Sequence, residues 1–501
     1  MDPLTPQHTV DITRGGLLGK LIRYSPIYLL SSLIIAFTAF LLLPVNTRIF
    51  TQAEYGAIST IDSVSDLVLI LVSVNLIAAF TRYYYEYKDN HEELVRYVST
   101  IYWFIAGWGI LAVGGAILAA PIFLPESIPT WPVLVLAFAS TILIQLSQLG
   151  GAYLQQNQRP GLQVSLNLAN FLTHALVMIV LVYSFGMGLT GKYIGALLGG
   201  AFSAAIGTYV LYRNGLLRFR FSWPMLRESL LFSILLLPNI ASGWITGVSD
   251  RILLSIYGTL EETGIYNVGY LLGRGISIFS EAIFMVYGPM IYAMMKKNPE
   301  IARKRIEHFV PYHFMFMLWI FLALTFYAPE IIAIVVPEEY ASAAAITPVV
   351  LFAYLLGSQY KTFTYLLSYQ KKTLVISIGA ILQAAANFGA NLILIPLYGK
   401  MAAAWTTVVS LAVYFVWMFF WSQKYSRLNL DYRRILTSAV VVILVGGAEV
   451  LLLTLPLVES SLPTVIGVKT ALLAIAGVAI WVSGGVLPVD KQQLLKLLRR
   501  T

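Results

Sequence analysis

Fourteen long apolar segments follow one another along this chain, and almost none of them carries a charge near its middle. They run near 21–44, 55–82, 97–120, 131–154, 164–185, 193–212, 229–249, 263–292, 308–335, 343–368, 374–396, 401–422, 435–455 and 464–487. A helix crosses the hydrocarbon core of a bilayer with about 20 apolar residues, so fourteen of them use roughly 290 positions. Only 11% of the chain is charged, against about 25% in soluble domains. Such a chain cannot solvate an ordinary surface, which excludes a large soluble enzyme. The expected fold is an all-α polytopic membrane protein. Cysteine is absent, which removes disulfides, thiolate metal sites, iron–sulfur clusters and cysteine nucleophiles. The five histidines, His8, His91, His174, His308 and His313, are too scattered for a histidine-rich metal site. No metal and no cofactor are expected.

The positive charges report topology. An even number of spans puts both termini on one side. With the N-terminus inside, five of the 33 Lys and Arg fall outside (Arg48, Lys192, Arg251, Lys400, Lys469) and two within spans (Arg274, Lys361). The rest are inner, including Lys296-Lys297, Arg303-Lys304-Arg305, Arg433-Arg434 and Arg499-Arg500. This excess implies cytoplasmic N- and C-termini. The net charge of +9 therefore does not call for nucleic acid. The first segment, flanked by Arg14, Lys20 and Arg23, is too long for a signal h-region and is expected to be retained. The longest outer connection, around Pro121–Thr130, has about ten residues, too few for a domain. The chemistry belongs to the membrane.

A weak internal repeat divides the chain. Glu54-Tyr55-Gly56 matches Glu262-Thr263-Gly264 at an offset of 208, and Gly191-Lys192 matches Gly399-Lys400 at the same offset. Pro125-Glu126 matches Pro337-Glu338 at 212. The division is two six-helix bundles, 1–222 and 223–430, followed by a two-helix tail, 431–501. Six spans is an even number, so the bundles share one orientation and relate by an axis along the membrane normal, with a cavity expected between them.

Polar groups in the spans mark candidate sites, because a charge at the bilayer centre costs about 2.5–3.5 kcal/mol on insertion scales and normally faces a cavity or a partner. Tyr270, Arg274, Ser277 and Glu281 are spaced i, i+4, i+7, i+11, one helical face. Arg274 is about twelve residues into its span, roughly 18 Å deep. Tyr354, Ser358, Lys361, Tyr365 and Ser368 repeat the pattern two spans later. Asp62 and Asp66 lie one turn apart, where like charges disfavour joint ionisation, and Arg82 closes that span at its inner end. His174 reads as an interhelical hydrogen-bonding group. The phosphate-loop-like run Gly186–Lys192 is followed by Tyr193 instead of Ser or Thr, and His91-Glu92-Glu93 meets Val95 where a zinc motif needs His. Neither supports an enzyme. Energy must come from a gradient or from the substrate's own concentration difference.

The run Arg48-Ile-Phe-Thr-Gln-Ala-Glu54-Tyr55-Gly56, and Ser249-Asp250-Arg251 followed by Glu262-Thr263-Gly264-Ile265-Tyr266, resemble the O-antigen-type flippases. These form the polysaccharide-biosynthesis branch of the multidrug/oligosaccharidyl-lipid/polysaccharide exporter superfamily. The resemblance implies MATE-like paired bundles that move an undecaprenyl-pyrophosphate-linked oligosaccharide across the inner membrane. On that reading Arg274, Lys361, Arg48, Arg251 and Arg82 are candidates for the pyrophosphate, and Tyr270, Tyr354 and Tyr365 for the sugar. Asp62, Asp66 and Glu281 are candidates to carry a returning H+ or Na+. Partners would be the lipid-linked oligosaccharide, membrane lipids and other polysaccharide-assembly proteins, with the chain itself a monomer. The rivals are a lipid II flippase and a MATE cation antiporter, although Lys20–Pro44 contains no carboxylate of the kind MATE proteins usually carry in the first span.

The topology is directly testable. Single cysteines at Glu126 and Thr190 should label from outside intact cells, and ones at Asn90 and Asn298 only after permeabilisation. External labelling at Asn298 would reverse the orientation.

Overall fold

The computed structural model describes residues 40–157, 159–454 and 462–482. Among them every regular element is helical and none is a strand. The order is α1 (Phe40–Ile49), α2 (Gln52–Ser73), α3 (Leu76–Tyr87), α4 (His91–Phe123), α5 (Val133–Gln156), α6 (Pro160–Ile179), α7 (Gly188–Arg213) and α8 (Trp223–Tyr257). Then come α9 (Leu260–Arg274), α10 (Ile276–Lys297), α11 (Pro299–Val335), α12 (Ala343–Tyr369), α13 (Thr373–Tyr425), α14 (Tyr432–Leu453) and α15 (Leu462–Val482).

Among the described residues, twelve helices, α2–α3 and α9–α10 each counted as one, are long and apolar enough to cross a membrane, and they account for every expected segment but the first. Segment 21–44 lies outside the described residues except for its end, in α1, as do the polar N-terminus and Arg499-Arg500. The segments 374–396 and 401–422 share α13, which bends between them at Gly399. Its backbone there (φ 58°, ψ −141°) is open to glycine and strained for any residue with a Cβ. A second interruption separates α9 from α10. The Gly275 amide bonds to Leu272 O, three residues back, at 3.0 Å, so the i→i−4 ladder stops just after Arg274.

The described residues form two compact units. In the first, built mainly from 72–113 and 136–233, hydroxyl groups hold the backbone after α7 against α4. Ser99 Oγ donates to Leu216 O at 3.0 Å and accepts from Arg218 N at 2.9 Å, and Thr100 Oγ1 accepts from Ser222 N at 2.9 Å. His91-Glu92-Glu93 simply opens α4, its amides at 92 and 93 capped by Asn90 Oδ1. Lys192 is buried inside α7, not presented on a loop.

The second unit contains 42–71, 114–135 and the chain from 234 on. Its key contact joins the repeat-related glycines. A Cβ on Gly56 would lie 1.8 Å from Leu260 O, and one on Gly264 would lie 2.5 Å from Gln52 O. Each backbone occupies the space the other's side chain would need, so α2 and α9 meet backbone to backbone, as small residues allow in membranes. Farther along α9, a Cβ on Gly273 would lie 2.6 Å from Val350 Cβ, which lets α9 lie close on α12. The second repeat match also meets here, because Lys400 Nζ pairs with Glu262 Oε1 at 3.2 Å. The tail packs through Val442, Val445, Leu472, Leu473 and Ala476 against α11 and α12. Buried Lys469 fastens it, with Nζ 2.6 Å from Phe326 O, 2.5 Å from Glu330 and 3.9 Å from Glu449.

Gly56→Ala should force α2 and α9 apart, an overpacking cost of about 1–3 kcal/mol or more. It should read as a lower unfolding temperature in detergent. Gly107→Ala, where a Cβ meets no atom within 4 Å, should leave that temperature unchanged or slightly raised.

Candidate functional site

Two close approaches, α9 on α2 and α9 on α12, bring the broken α9–α10 span to the side of a cavity within the second unit. The cavity has a volume of about 360 Å³, inside the roughly 300–1,000 Å³ range of ligand sites. Its charged lining is Asp66 from α2, Arg274 at the end of α9, Glu281 from α10 and Lys361 from α12. Ser277, Ser280, Tyr354, Ser358, Gln383 and Thr407 add polar groups, and Gly243, Trp244, Thr246 and Gly247 of α8 form another wall.

The four charges are not equivalent. Lys361 Nζ lies 2.5 Å from Glu281 Oε1, so that cation already has its counter-ion. Arg274 and Asp66 are exposed to the cavity and make no hydrogen bond or ion pair among the described residues. The lining is formally balanced, two acids against two bases, whereas the residue types alone suggest a mixed to basic cavity. Arg274 therefore presents a whole guanidinium fork to whatever enters, and such a fork suits carboxylate or phosphate oxygens.

Other sequence candidates are placed elsewhere. Arg251 is buried beside the cavity, and its partners use its donors. Nε donates to Asn267 Oδ1 at 2.8 Å, and one terminal nitrogen reaches Gly247 O at 2.7 Å and Asp250 Oδ1 at 3.2 Å. The guanidinium also lies 4.3 Å from the centre of the Tyr270 ring. Tyr266 donates its hydroxyl proton to the other Asp250 oxygen. Tyr270 is buried, and its hydroxyl meets Tyr354 OH at 2.6 Å; only Tyr354 reaches the cavity wall. Tyr270 lies one turn before Arg274 on α9, but its ring is taken up by Tyr266, Tyr354 and the Arg251 guanidinium. Tyr365 stacks on Phe284 and is not a lining residue. Arg48 caps α11, donating to Ile334 O at 3.2 Å and Val335 O at 3.0 Å. Arg82, in the first unit, lies 3.9 Å from Glu86 and over the rings of Tyr83 and Phe232. Asp62, exposed one turn from Asp66, is not among the lining residues. Gly243, Gly247, Trp244, Ser280, Gln383 and Thr407 were not legible in advance; the only hint was the Gly243–Gly247 spacing, which reads more readily as helix packing.

The profile of a family described as "Polysaccharide biosynthesis protein" matches residues 22–295. A Haemophilus influenzae protein of the Lsg locus is 26% identical over 353 residues, 68% of this chain and 78% of that protein. The solved structure of the lipid II flippase MurJ in an inward closed conformation superposes with a TM-score of 0.65 at 12% identity, covering 87% of this chain and 98% of that one. The Vibrio cholerae MATE transporter VcmN gives 0.57 at 13% identity, with 82% and 97% covered. At such identity these structures share the fold.

Arg274 and Arg251 should respond differently to truncation. Arg251→Ala leaves buried Asp250 without its cation and should cost about 3–5 kcal/mol. Arg274→Ala removes no internal partner and should stay within about 0.5 kcal/mol of the unmodified protein. Thermal unfolding in detergent separates the two; equal losses would make Arg274 a structural residue.

Proposed function

Because the chain belongs to the polysaccharide biosynthesis protein family, and is a multi-pass membrane protein, we propose that it is a flippase for a lipid-linked oligosaccharide. The substrate is an undecaprenyl-pyrophosphate-linked repeat unit of O-antigen type, moved by alternating access from the inner to the outer leaflet of the cytoplasmic membrane. The observation that carries this reading is the unpaired Arg274 guanidinium, set at a helix break inside a polar membrane cavity. Discontinuous helices at the midplane are a common way for transporters to offer polar backbone and charge to a substrate. Arg274 would take the pyrophosphate. Lys361 would join it only by exchanging Glu281 for phosphate oxygens, so Glu281 tempers the site. The polyprenyl tail would stay in lipid.

Transport requires no cofactor or catalytic step on this view, and both termini face the cytoplasm. Asp66, in the cavity with Arg274, is the best-placed carrier of a coupling H+ or Na+. Asp62 is not among the lining residues, and Glu281 is engaged by Lys361.

Reconstituted vesicles loaded with a fluorescent polyprenyl-pyrophosphate oligosaccharide test the reading, with lipid II and a drug cation as comparison substrates. Arg274→Ala should slow flipping about tenfold or more, the loss of a charge-assisted hydrogen bond worth about 1.5–3 kcal/mol. Arg274→Lys should restore part of it, because an ammonium lacks the bidentate fork. Asp66→Asn should abolish dependence on pH or sodium. A stable Arg274→Ala protein that flips at the unmodified rate would overturn the assignment, and faster movement of lipid II or the cation would reassign the substrate.

A further inference from the structure

Glycines normally appear in membrane helices where another helix needs the room, and Gly56, Gly264 and Gly273 meet that description. Gly243 and Gly247 do not. They stand one turn apart on α8, both line the cavity, and a Cβ on either would meet no atom within 4 Å. No described residue packs into that space. Between them, Trp244 also lines the cavity, and its ring is held by a hydrogen bond from Nε1 to Ser63 O at 2.9 Å. The Gly247 carbonyl is held in turn by Arg251 at 2.7 Å. This stretch of wall is therefore a fixed shelf of bare backbone with an indole set into it.

A second observation points to a ligand. Ser280 lines the same cavity and is 1% exposed, yet its hydroxyl has no hydrogen-bond partner. The hydroxyls of Ser358 and Thr407, also in the lining, return to carbonyls of their own helices at 2.6 and 3.0 Å. A buried hydroxyl left unsatisfied is costly, and the simplest occupant that would satisfy it is a polar group arriving with substrate.

We infer that Gly243, Trp244, Gly247 and Ser280 form a sugar-ring subsite beside Arg274, which holds the ring next to the pyrophosphate. A pyranose has an apolar C–H face that suits an indole, and its hydroxyls can meet Ser280 and exposed backbone. The glycines set which rings fit, since any side chain there would occupy the ring's place. The inference deepens the flippase reading and rests on it.

Two probes in the same vesicles test it, a fluorescent polyprenyl pyrophosphate without sugar and the same lipid carrying an oligosaccharide. Gly243→Leu should slow the glycosylated probe at least tenfold and leave the bare probe within twofold. Ser280→Ala should slow only the glycosylated probe, about threefold to tenfold. Gly389→Leu, also at a glycine whose Cβ would meet no atom within 4 Å but not a lining residue, should change neither. Gly247→Ala, the mildest change, carries the same expectation as Gly243→Leu in smaller measure and covers the case in which leucine impairs folding, read by unfolding temperature. Equal slowing of both probes, or of neither, in folded Gly243→Leu and Ser280→Ala proteins would overturn the subsite while leaving the flippase reading standing. Failure of the unmodified protein to move either probe would overturn both.

Discussion

Hydrocarbon supplies no hydrogen-bond partner, and most of this structure follows from that. Backbone polar groups must be satisfied within their own segment, so the spans are helices. Side-chain hydroxyls commonly fold back on their own helix, as Thr60 does on Gly56 O and Ser63 on Ser59 O. Charges that cannot fold back find partners. Asp250 has Arg251 and Tyr266, Lys469 has Glu330 and the Phe326 carbonyl, and Lys361 has Glu281. Against this background Arg274 and Asp66 differ from these charges, because they line the cavity without a hydrogen bond or ion pair among the described residues.

The position of Arg274 depends on contacts at both ends of α9. The crossing of Gly56 and Gly264 brings the start of α9 onto α2, and Gly273 brings its end onto α12. Between these contacts the Asp250–Arg251–Asn267 network fixes α8 against α9, and Tyr270 extends it to Tyr354 at the cavity wall. Arg251 and Arg274 are the same residue type 23 positions apart, with opposite employment. One is spent on structure, and the other is left for substrate.

Residues singled out by the sequence offsets also do packing work. Glu54-Tyr55-Gly56 and Glu262-Thr263-Gly264 share a pattern, and their glycines meet each other. Glu262 and Lys400, from two different matches, form an ion pair. The two phosphate-loop and zinc decoys were also legible as decoys, from a single wrong residue in each. The pairing of Lys361 with Glu281 was not, since it joins residues 80 positions apart on α12 and α10. Nor was the withdrawal of Tyr270 from the cavity, which follows from its contacts with Tyr354 and Arg251 on other helices.

By itself the sequence determined the membrane habitat, the helical class and the order of spans, including the two segments that α13 carries. Those properties depend on local apolar content, which survives being read in one dimension. Only the tertiary structure decided which polar residues share a cavity, which cations are already neutralised and which glycines face empty space. Those depend on what lies across a gap of a few ångströms, and in a bundle the neighbour across the gap comes from a distant part of the chain.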